Sequence, residues 1–173
     1  SEMCIRDRQT GFVGTPYLLH VLSSYGHTDL AYTLLLRTEY PSWLYPVTKG
    51  ATTVWEHWDG IMENGDFWST DMNSFNHYAY GAVADWVYEE AAGIHTVEEA
   101  PGFERVKIAP KPDSRLDWLE ASIETRKGLV RSLWKQEEGR FRYEITTPSP
   151  ASIVIDGVET QVGPGEYIFY SRI

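Results

Sequence analysis

Apolar positions recur at helical spacing in three stretches of the first hundred residues. Thr15 is predicted to cap a first helix that has Pro16 at its first position and ends at Gly26. A second helix is predicted to begin at Thr28, with leucines on one face, and must end before Pro41. Because so short a connection separates them, the two helices should form an antiparallel αα-hairpin.

A third helix is predicted to begin at Ser74, which would cap it, and to run to about Ala92, with Gly93 as the stop signal. Gly81 lies inside this helix, where glycine costs about 1 kcal/mol relative to alanine. That cost predicts the close approach of another helix at Gly81.

From Phe103 onward the hydrophobic period changes from helical to two. Alternating or β-rich stretches follow one another, separated by glycine-containing turns, at 104–108, 121–125, 129–134, 140–145 and 167–170. This pattern predicts a small antiparallel β-sandwich of about five to seven strands. The boundary is placed near Pro101-Gly102, so that residues 9–100 form a helical domain and residues 101–173 the sandwich. Residues 1–8 show no apolar period and no cap, and are interpreted as a non-native extension.

The 33 residues between the second and third helices, 41–73, have neither period. Compact domains seldom keep a loop of this length unless it has a function. Trp55, Glu56, His57 and Trp58 lie at its centre, within a segment that carries five acids and a single lysine, Lys49. Acids beside large flat rings suit carbohydrate chemistry, because rings stack on sugars while carboxylates bind hydroxyls and move protons. The alternative is a solvated aromatic loop that caps a core.

Composition and charge narrow the function classes. The 173 residues are 42% hydrophobic, enough for a real core, and carry a formal net charge of −10. All of the excess acid lies in residues 1–100, which disfavours nucleic acid and anionic membranes as partners. A lone cysteine, Cys4, excludes an internal disulfide and a cysteine-based zinc site. The histidines show no ligand spacing, so we predict no metal.

Four segments carry a family resemblance: residues 50–59 (GATTVWEHWD), 74–83 (SFNHYAYGAV), 86–88 (WVY) and 92–94 (AGI). In order and spacing they resemble the C-terminal part of bacterial α-L-rhamnosidases of glycoside hydrolase family 78, from roughly Thr10 to the end. The resemblance implies an α+β multidomain fold, in which the last helices of an (α/α)6 barrel precede a C-terminal β-sandwich. It also implies release of terminal α-L-rhamnose with inversion, by a general acid and a general base and without a cofactor.

By the same resemblance, Glu56 corresponds to the general base and His77 to a histidine that contacts the rhamnose hydroxyls. Trp55, Trp58 and Asn76 follow the motif as further substrate-binding candidates. Inversion needs two carboxyl groups about 6.5 to 9.5 Å apart, and no segment here matches the family's general acid. The chain is therefore interpreted as a fragment that is inactive alone. Its partner would be the missing N-terminal part of the same enzyme, and its substrate a rhamnoside.

Several alternatives remain open at this point. For single residues, the alternatives are that Glu56 is an exposed loop acid or pairs with Lys49, that His77 is structural, and that Trp55 and Trp58 only pack a barrel. For the function, the alternatives are that the whole enzyme is another inverting (α/α)6 glycosidase, or that the chain is a carbohydrate-binding remnant. The last would place an aromatic row on one sandwich face, whose candidates otherwise pack the sandwich core: Trp118, Trp134, Phe141 and Tyr143. In a fragment, the helices should also expose apolar residues that a full barrel covers, namely Leu18, Leu22, Leu34, Trp86 and Val87.

Overall fold

The computed structural model describes residues 11–172, so the predicted extension at residues 1–8 lies outside the described residues. The chain divides into two compact units, the first ending at Ala84 and the second beginning at Asp85. Within residues 11–172, no helix combines the length and the apolar character needed to cross a bilayer.

The predicted helical hairpin is present, although its first helix starts earlier than expected. Helices α1 (Gly11–Ser24) and α2 (Thr28–Leu35) pack against each other, and a short helix α3 (Tyr45–Thr48) follows. Thr15 is not the cap: it lies inside α1, where its hydroxyl donates to the Gly11 carbonyl oxygen over 2.6 Å. The Thr-Pro signal was misread because an internal threonine can satisfy the carbonyl four residues before it.

The apolar surface of α1 is not the one that was predicted. Val13, Tyr17 and Val21, four residues apart along one face, are 85%, 67% and 51% exposed. Leu34 and Trp86 were expected to be exposed, but they are buried at 5% and 1%. Leu18, Leu22 and Val87 are half-buried. The predicted exposure is therefore wrong for Leu34 and Trp86, which are buried within the described chain.

The third helical segment begins five residues later than predicted. Residues 74–78 form bends and irregular backbone, followed by a 3-10 helix (Ala79–Ala82), helix α4 (Val83–Trp86) and a π-helix (Val87–Ala91). Ser74 does not cap a helix, because its hydroxyl accepts from the N–H of Asn76 over 3.2 Å. A Cβ atom at Gly81 would lie 3.5 Å from Val54, a loop residue. The close neighbour predicted at Gly81 is thus a loop side chain rather than a helix.

Within residues 11–172, eight strands form two four-stranded sheets, with the orders β1-β2-β6-β7 and β3-β4-β5-β8. Their bounds are β1 Ile94–Thr96, β2 Val106–Ile108, β3 Trp118–Thr125, β4 Gly128–Glu137, β5 Arg140–Thr147, β6 Ala151–Ile155, β7 Val158–Val162 and β8 Gly165–Arg172. Five of the six strand pairings are antiparallel, and β2 pairs with β6 in parallel. The predicted stretches omit three of these strands: β1, which lies before the predicted boundary, and β6 and β7.

The core of the second unit lies between these sheets. Trp134, Phe141 and Tyr143 are 0%, 5% and 2% exposed and belong to this core. The indole N–H of Trp134 donates to the Ala91 carbonyl oxygen over 2.9 Å, which satisfies its only polar atom. Of the four rings considered for a sugar-binding row, only Trp118 is exposed, at 62%. The aromatic row of the binding-remnant alternative is therefore absent, and the core-packing interpretation is confirmed for these three rings.

Candidate functional site

Two loop segments that are distant in sequence lie side by side in the first unit. The N–H of His77 donates to the Val54 carbonyl oxygen over 2.8 Å, and the N–H of Glu56 donates to the Ser74 carbonyl oxygen over 2.9 Å. This backbone pairing joins residues 54–56 to residues 74–77. These two bonds hold residues 74–77 against residues 54–56, in a segment that is not helical.

Glu56 is held by one of its two carboxylate oxygens. The Ser74 N–H donates to Oε2 over 2.9 Å, and the side chain is half-buried. Among the described residues, Oε1 has no hydrogen-bond partner. The alternative that Glu56 pairs with Lys49 is wrong: Lys49 Nζ lies 3.5 Å from the Glu63 carbonyl oxygen and 5.4 Å from the centre of the Tyr45 ring. Glu56 is thus oriented by a neutral donor, with one oxygen open to a water molecule.

His77 is fixed by its neighbours in one tautomer. Its Nδ1 accepts from the N–H of Ala79 over 3.3 Å. In the neutral imidazole the proton then lies on Nε2, which becomes a hydrogen-bond donor. The ring also stacks on Phe12 and Tyr78, with centroid distances of 5.0 and 5.3 Å. Its orientation is set by backbone and ring contacts, and Nε2 makes no hydrogen bond to a described residue.

An aromatic cleft of about 310 Å³ lies in the same unit. The rings along it belong to Trp43, Trp55, His57, Trp58 and Tyr80. Trp58 stacks on Tyr80 at 3.8 Å and meets the edge of Trp43 at 5.3 Å. These contacts favour packing for Trp58, although one side of the ring still borders the cleft. Glu56 and His77 do not line the cleft.

Gly60 locks the two loop segments together. A Cβ atom at this position would lie 3.1 Å from both Trp55 and Phe75 and 3.2 Å from Asn73 Oδ1, closer than most real contacts. The Asn73 side-chain amide donates to the Gly60 carbonyl oxygen over 2.8 Å. A larger residue here would force these side chains to shift by a few tenths of an ångström, so the close approach favours glycine. The residues beside Glu56 and Ser74 are thereby held at a fixed separation.

The pKa values of two tyrosines in this unit, Tyr45 and Tyr80, are raised. Burial raises the pKa of Tyr45, and the negative charges of Glu63 and Asp59 raise it further. The Tyr45 hydroxyl donates to the Ile61 carbonyl oxygen over 3.0 Å. Burial likewise raises the pKa of Tyr80. Both phenols therefore remain neutral over the physiological pH range.

The predicted site residues are only partly brought together. Glu56 and His77 lie on paired segments, and Trp55 and Trp58 border the aromatic cleft, whereas Asn76 is exposed. Sequence reasoning missed the contact between Ser74 and Glu56. Because the donor is the backbone N–H of Ser74, the identity of the side chain carries no signal of it. Sequence reasoning also missed Tyr80, whose signal was its place in the helical pattern of residues 79–87.

Comparisons with known proteins cover nearly all of the described chain. Residues 5–91 match the family model of the bacterial alpha-L-rhamnosidase 6 hairpin glycosidase domain, and residues 93–164 match that of the bacterial alpha-L-rhamnosidase C-terminal domain. An alpha-L-rhamnosidase of Streptomyces avermitilis is 45% identical over 139 residues, which are 80% of this chain and 13% of that protein.

Solved structures agree with these matches. The crystal structure of the Streptomyces avermitilis alpha-L-rhamnosidase complexed with L-rhamnose superposes with a TM-score of 0.85 at 37% identity, covering 94% of this chain and 18% of that one. Native alpha-L-rhamnosidase from Aspergillus terreus gives a TM-score of 0.87 at 36% identity, covering 94% and 19%. The chain thus spans less than a fifth of the length of each of these proteins.

Proposed function

Because this chain belongs to the bacterial α-L-rhamnosidase family, we propose that it forms the C-terminal part of a glycoside hydrolase that releases terminal α-L-rhamnose with inversion. The observation that carries the proposal is the carboxylate of Glu56, fixed through Oε2 and open at Oε1. It lies in a segment of the chain that superposes on a rhamnosidase that binds L-rhamnose.

In this proposal Glu56 is the general base. Its Oε1 takes a proton from a water molecule while the water oxygen forms a bond to the anomeric carbon. The glycosidic C–O bond breaks at the same time, and the leaving oxygen receives a proton from the general acid. Inverting enzymes place this acid about 6.5 to 9.5 Å from the base. We assign it to a part of the enzyme outside these 173 residues, which is therefore the proposed partner.

His77 is proposed to bind the sugar. The tautomer set by Ala79 presents Nε2–H as a donor to a rhamnose hydroxyl oxygen. Trp55 and Trp58 are proposed to supply apolar wall to the bound sugar from the aromatic cleft, and Asn76 a polar contact. Neither metal nor cofactor has a role in this scheme, since a carboxylate pair can move both protons.

The proposal is tested by Glu56→Gln in the full-length enzyme. We expect hydrolysis of an aryl α-L-rhamnoside to fall by about 10²- to 10⁴-fold while rhamnose still binds. Azide, which needs no base, should restore part of the turnover and give the inverted rhamnosyl azide. Glu63→Gln, which removes an exposed acid from the same loop, is the matched control and should leave turnover unchanged. Near-normal hydrolysis by Glu56→Gln would remove Glu56 from the mechanism.

His77→Ala tests the sugar contact in the same enzyme. Loss of one or two hydrogen bonds should lower kcat/KM by about ten- to a hundredfold, mainly through KM, since each is worth about 1–3 kcal/mol when its partner is left unpaired. The exposed His27 gives the control variant His27→Ala. An unchanged kcat/KM together with a large fall in Tm would show that His77 is structural.

A further inference from the structure

The outer face of the β1-β2-β6-β7 sheet carries a polar row that crosses three strands. Lys107 lies opposite Ser152, and Ser152 lies opposite Gln161. A cleft of about 450 Å³ lies along this row, within the range of about 300–1,000 Å³ usual for small-molecule sites. Arg105, which directly precedes β2, lines the same cleft as Lys107, Ser152 and Gln161.

Two cations on one wall of the cleft, Arg105 and Lys107, have no partner among the described residues. Among the described residues of the sandwich, most lysines and arginines form ion pairs, namely Lys111, Arg115, Lys127, Arg131, Lys135 and Arg142. Arg140 lies over the ring of Tyr170. Arg105 and Lys107 are exposed, and neither side chain has an ion-pair or hydrogen-bond partner in that part of the chain. The sandwich thus leaves two positive charges together in one concave place.

The other wall holds a carboxylate. Glu159 Oε1 accepts from the Ser152 hydroxyl over 2.5 Å and from the Gln161 side-chain amide over 2.8 Å. Two neutral donors fix this acid, and its Oε2 has no hydrogen-bond partner among the described residues. A small inorganic anion would be attracted by Arg105 and Lys107 but repelled by Glu159. A ligand that carries both an anionic group and hydroxyl donors would satisfy both walls.

We propose that this cleft binds an acidic saccharide. Its carboxylate would lie against Arg105 and Lys107, through charge-assisted hydrogen bonds. Its hydroxyls would donate to Glu159. Val97 and Val154, which also line the cleft, offer apolar surface to the C–H groups of the sugar ring. The site does not involve the residues assigned to rhamnoside hydrolysis, so either proposal can fail without the other.

Three small ligands test separately whether the cleft requires a carboxylate and whether it requires hydroxyls. D-glucuronate carries a carboxylate and hydroxyls, D-glucose the hydroxyls alone, and acetate the carboxylate alone. In NMR titrations of the 173-residue chain at low salt, glucuronate should bind at least about tenfold more tightly than glucose or acetate. The amide shifts should be largest along β2, β6 and β7.

Paired variants locate the binding. Arg105→Gln with Lys107→Gln should weaken glucuronate binding by at least about tenfold. Arg126→Gln with Lys127→Gln removes the same charge from an exposed turn and should leave binding unchanged. Glu159→Gln should raise the affinity for acetate and so reduce the preference for glucuronate. The proposal is overturned if the Arg105→Gln, Lys107→Gln variant binds glucuronate as tightly as the Arg126→Gln, Lys127→Gln variant. It is also overturned if acetate or glucose binds the unsubstituted chain as tightly as glucuronate.

Discussion

The two units of this chain differ in how far they bury their own apolar surface. Of the large hydrophobic side chains that are exposed among the described residues, twelve lie before Asp85 and only five after it. The buried hydrophobic residues show the opposite distribution, with eight before Asp85 and fifteen after it. The sandwich closes its core with its own two sheets, whereas the helical unit presents rings and valines of a kind that soluble monomers seldom leave uncovered.

The largest effect should come from the core of the sandwich. Trp134→Ala removes a fully buried ring and the hydrogen bond to Ala91, and should lower the free energy of unfolding of this unit by about 3–5 kcal/mol. Trp118→Ala makes the same substitution at an exposed ring on the neighbouring strand β3. It should change the stability by less than about 0.5 kcal/mol. Thermal and urea unfolding of both variants measure the difference.

Limited proteolysis of Trp134→Ala and Trp118→Ala tests whether the sandwich resists unfolding better than the helical unit. In the unsubstituted chain, cleavage should begin in residues 36–78 and leave the sandwich intact, while in Trp134→Ala the sandwich should also be cut. Equal protease resistance of Trp134→Ala and Trp118→Ala would mean that the sandwich is not held together by its own core.

A smaller effect is expected from the exposed face of α1. The chain expressed alone should self-associate through this face and show no hydrolysis of an aryl α-L-rhamnoside. Tyr17→Lys with Val21→Lys should weaken the association at least about tenfold, because each lysine would have to be desolvated in the contact. Ile168→Lys, at an exposed residue of the sandwich, is the control. Sedimentation equilibrium gives the mass, and a monomer of 19.8 kDa at all concentrations would contradict the prediction.

The smallest effect concerns an ion pair of the sandwich. Two side-chain hydrogen bonds from Arg115, of 2.7 and 2.6 Å, lower the pKa of Asp113. A lowered folded-state pKa stabilises the fold at pH values above the unfolded-state pKa, and this contribution is lost as the pH falls through the folded-state value. Asp113→Asn should therefore cost up to about 1 kcal/mol at pH 7, since Arg115 is partly exposed.

The pH dependence of Tm supplies the check on Asp113. The Tm difference between Asp113→Asn and the unsubstituted chain should shrink as the solution is acidified below pH 4. Asp117→Asn removes the same charge from an exposed carboxyl close by in sequence and serves as the control. A Tm difference that stays constant on acidification would show that the carboxylate charge is not involved.

Local patterns were enough to predict most of the sandwich and the helical hairpin. The period of two in β3, β4 and β5 is set by burial of alternate residues, which any sequence reading can detect. The start of the third helix was misplaced because residues 74–77 pair with residues 54–56, a contact that no local pattern encodes. Strands β1, β6 and β7 were missed: β1 has only three residues, and β7 is exposed at four of its five positions, so its burial does not alternate.

The candidate site was predictable to a similar degree. Glu56 and His77 came from a motif whose spacing is visible in the chain, and their roles remain predictions. The hydrogen bond that orients Glu56 could not be predicted, because its donor is a backbone N–H that every residue other than proline possesses. The unpaired cations at Arg105 and Lys107 were equally hidden, since the strand pairing decides which charges meet.

The backbone donor to Glu56 has a consequence for how this site varies through mutation. Any residue with an N–H at position 74 can donate to the carboxylate, so this contact makes no demand on the side chain, whose hydroxyl accepts from the Asn76 N–H instead. Proline alone would be purged, because it lacks the N–H. In a survey of variants, the role of the position 74 N–H would show only as the absence of proline at that position.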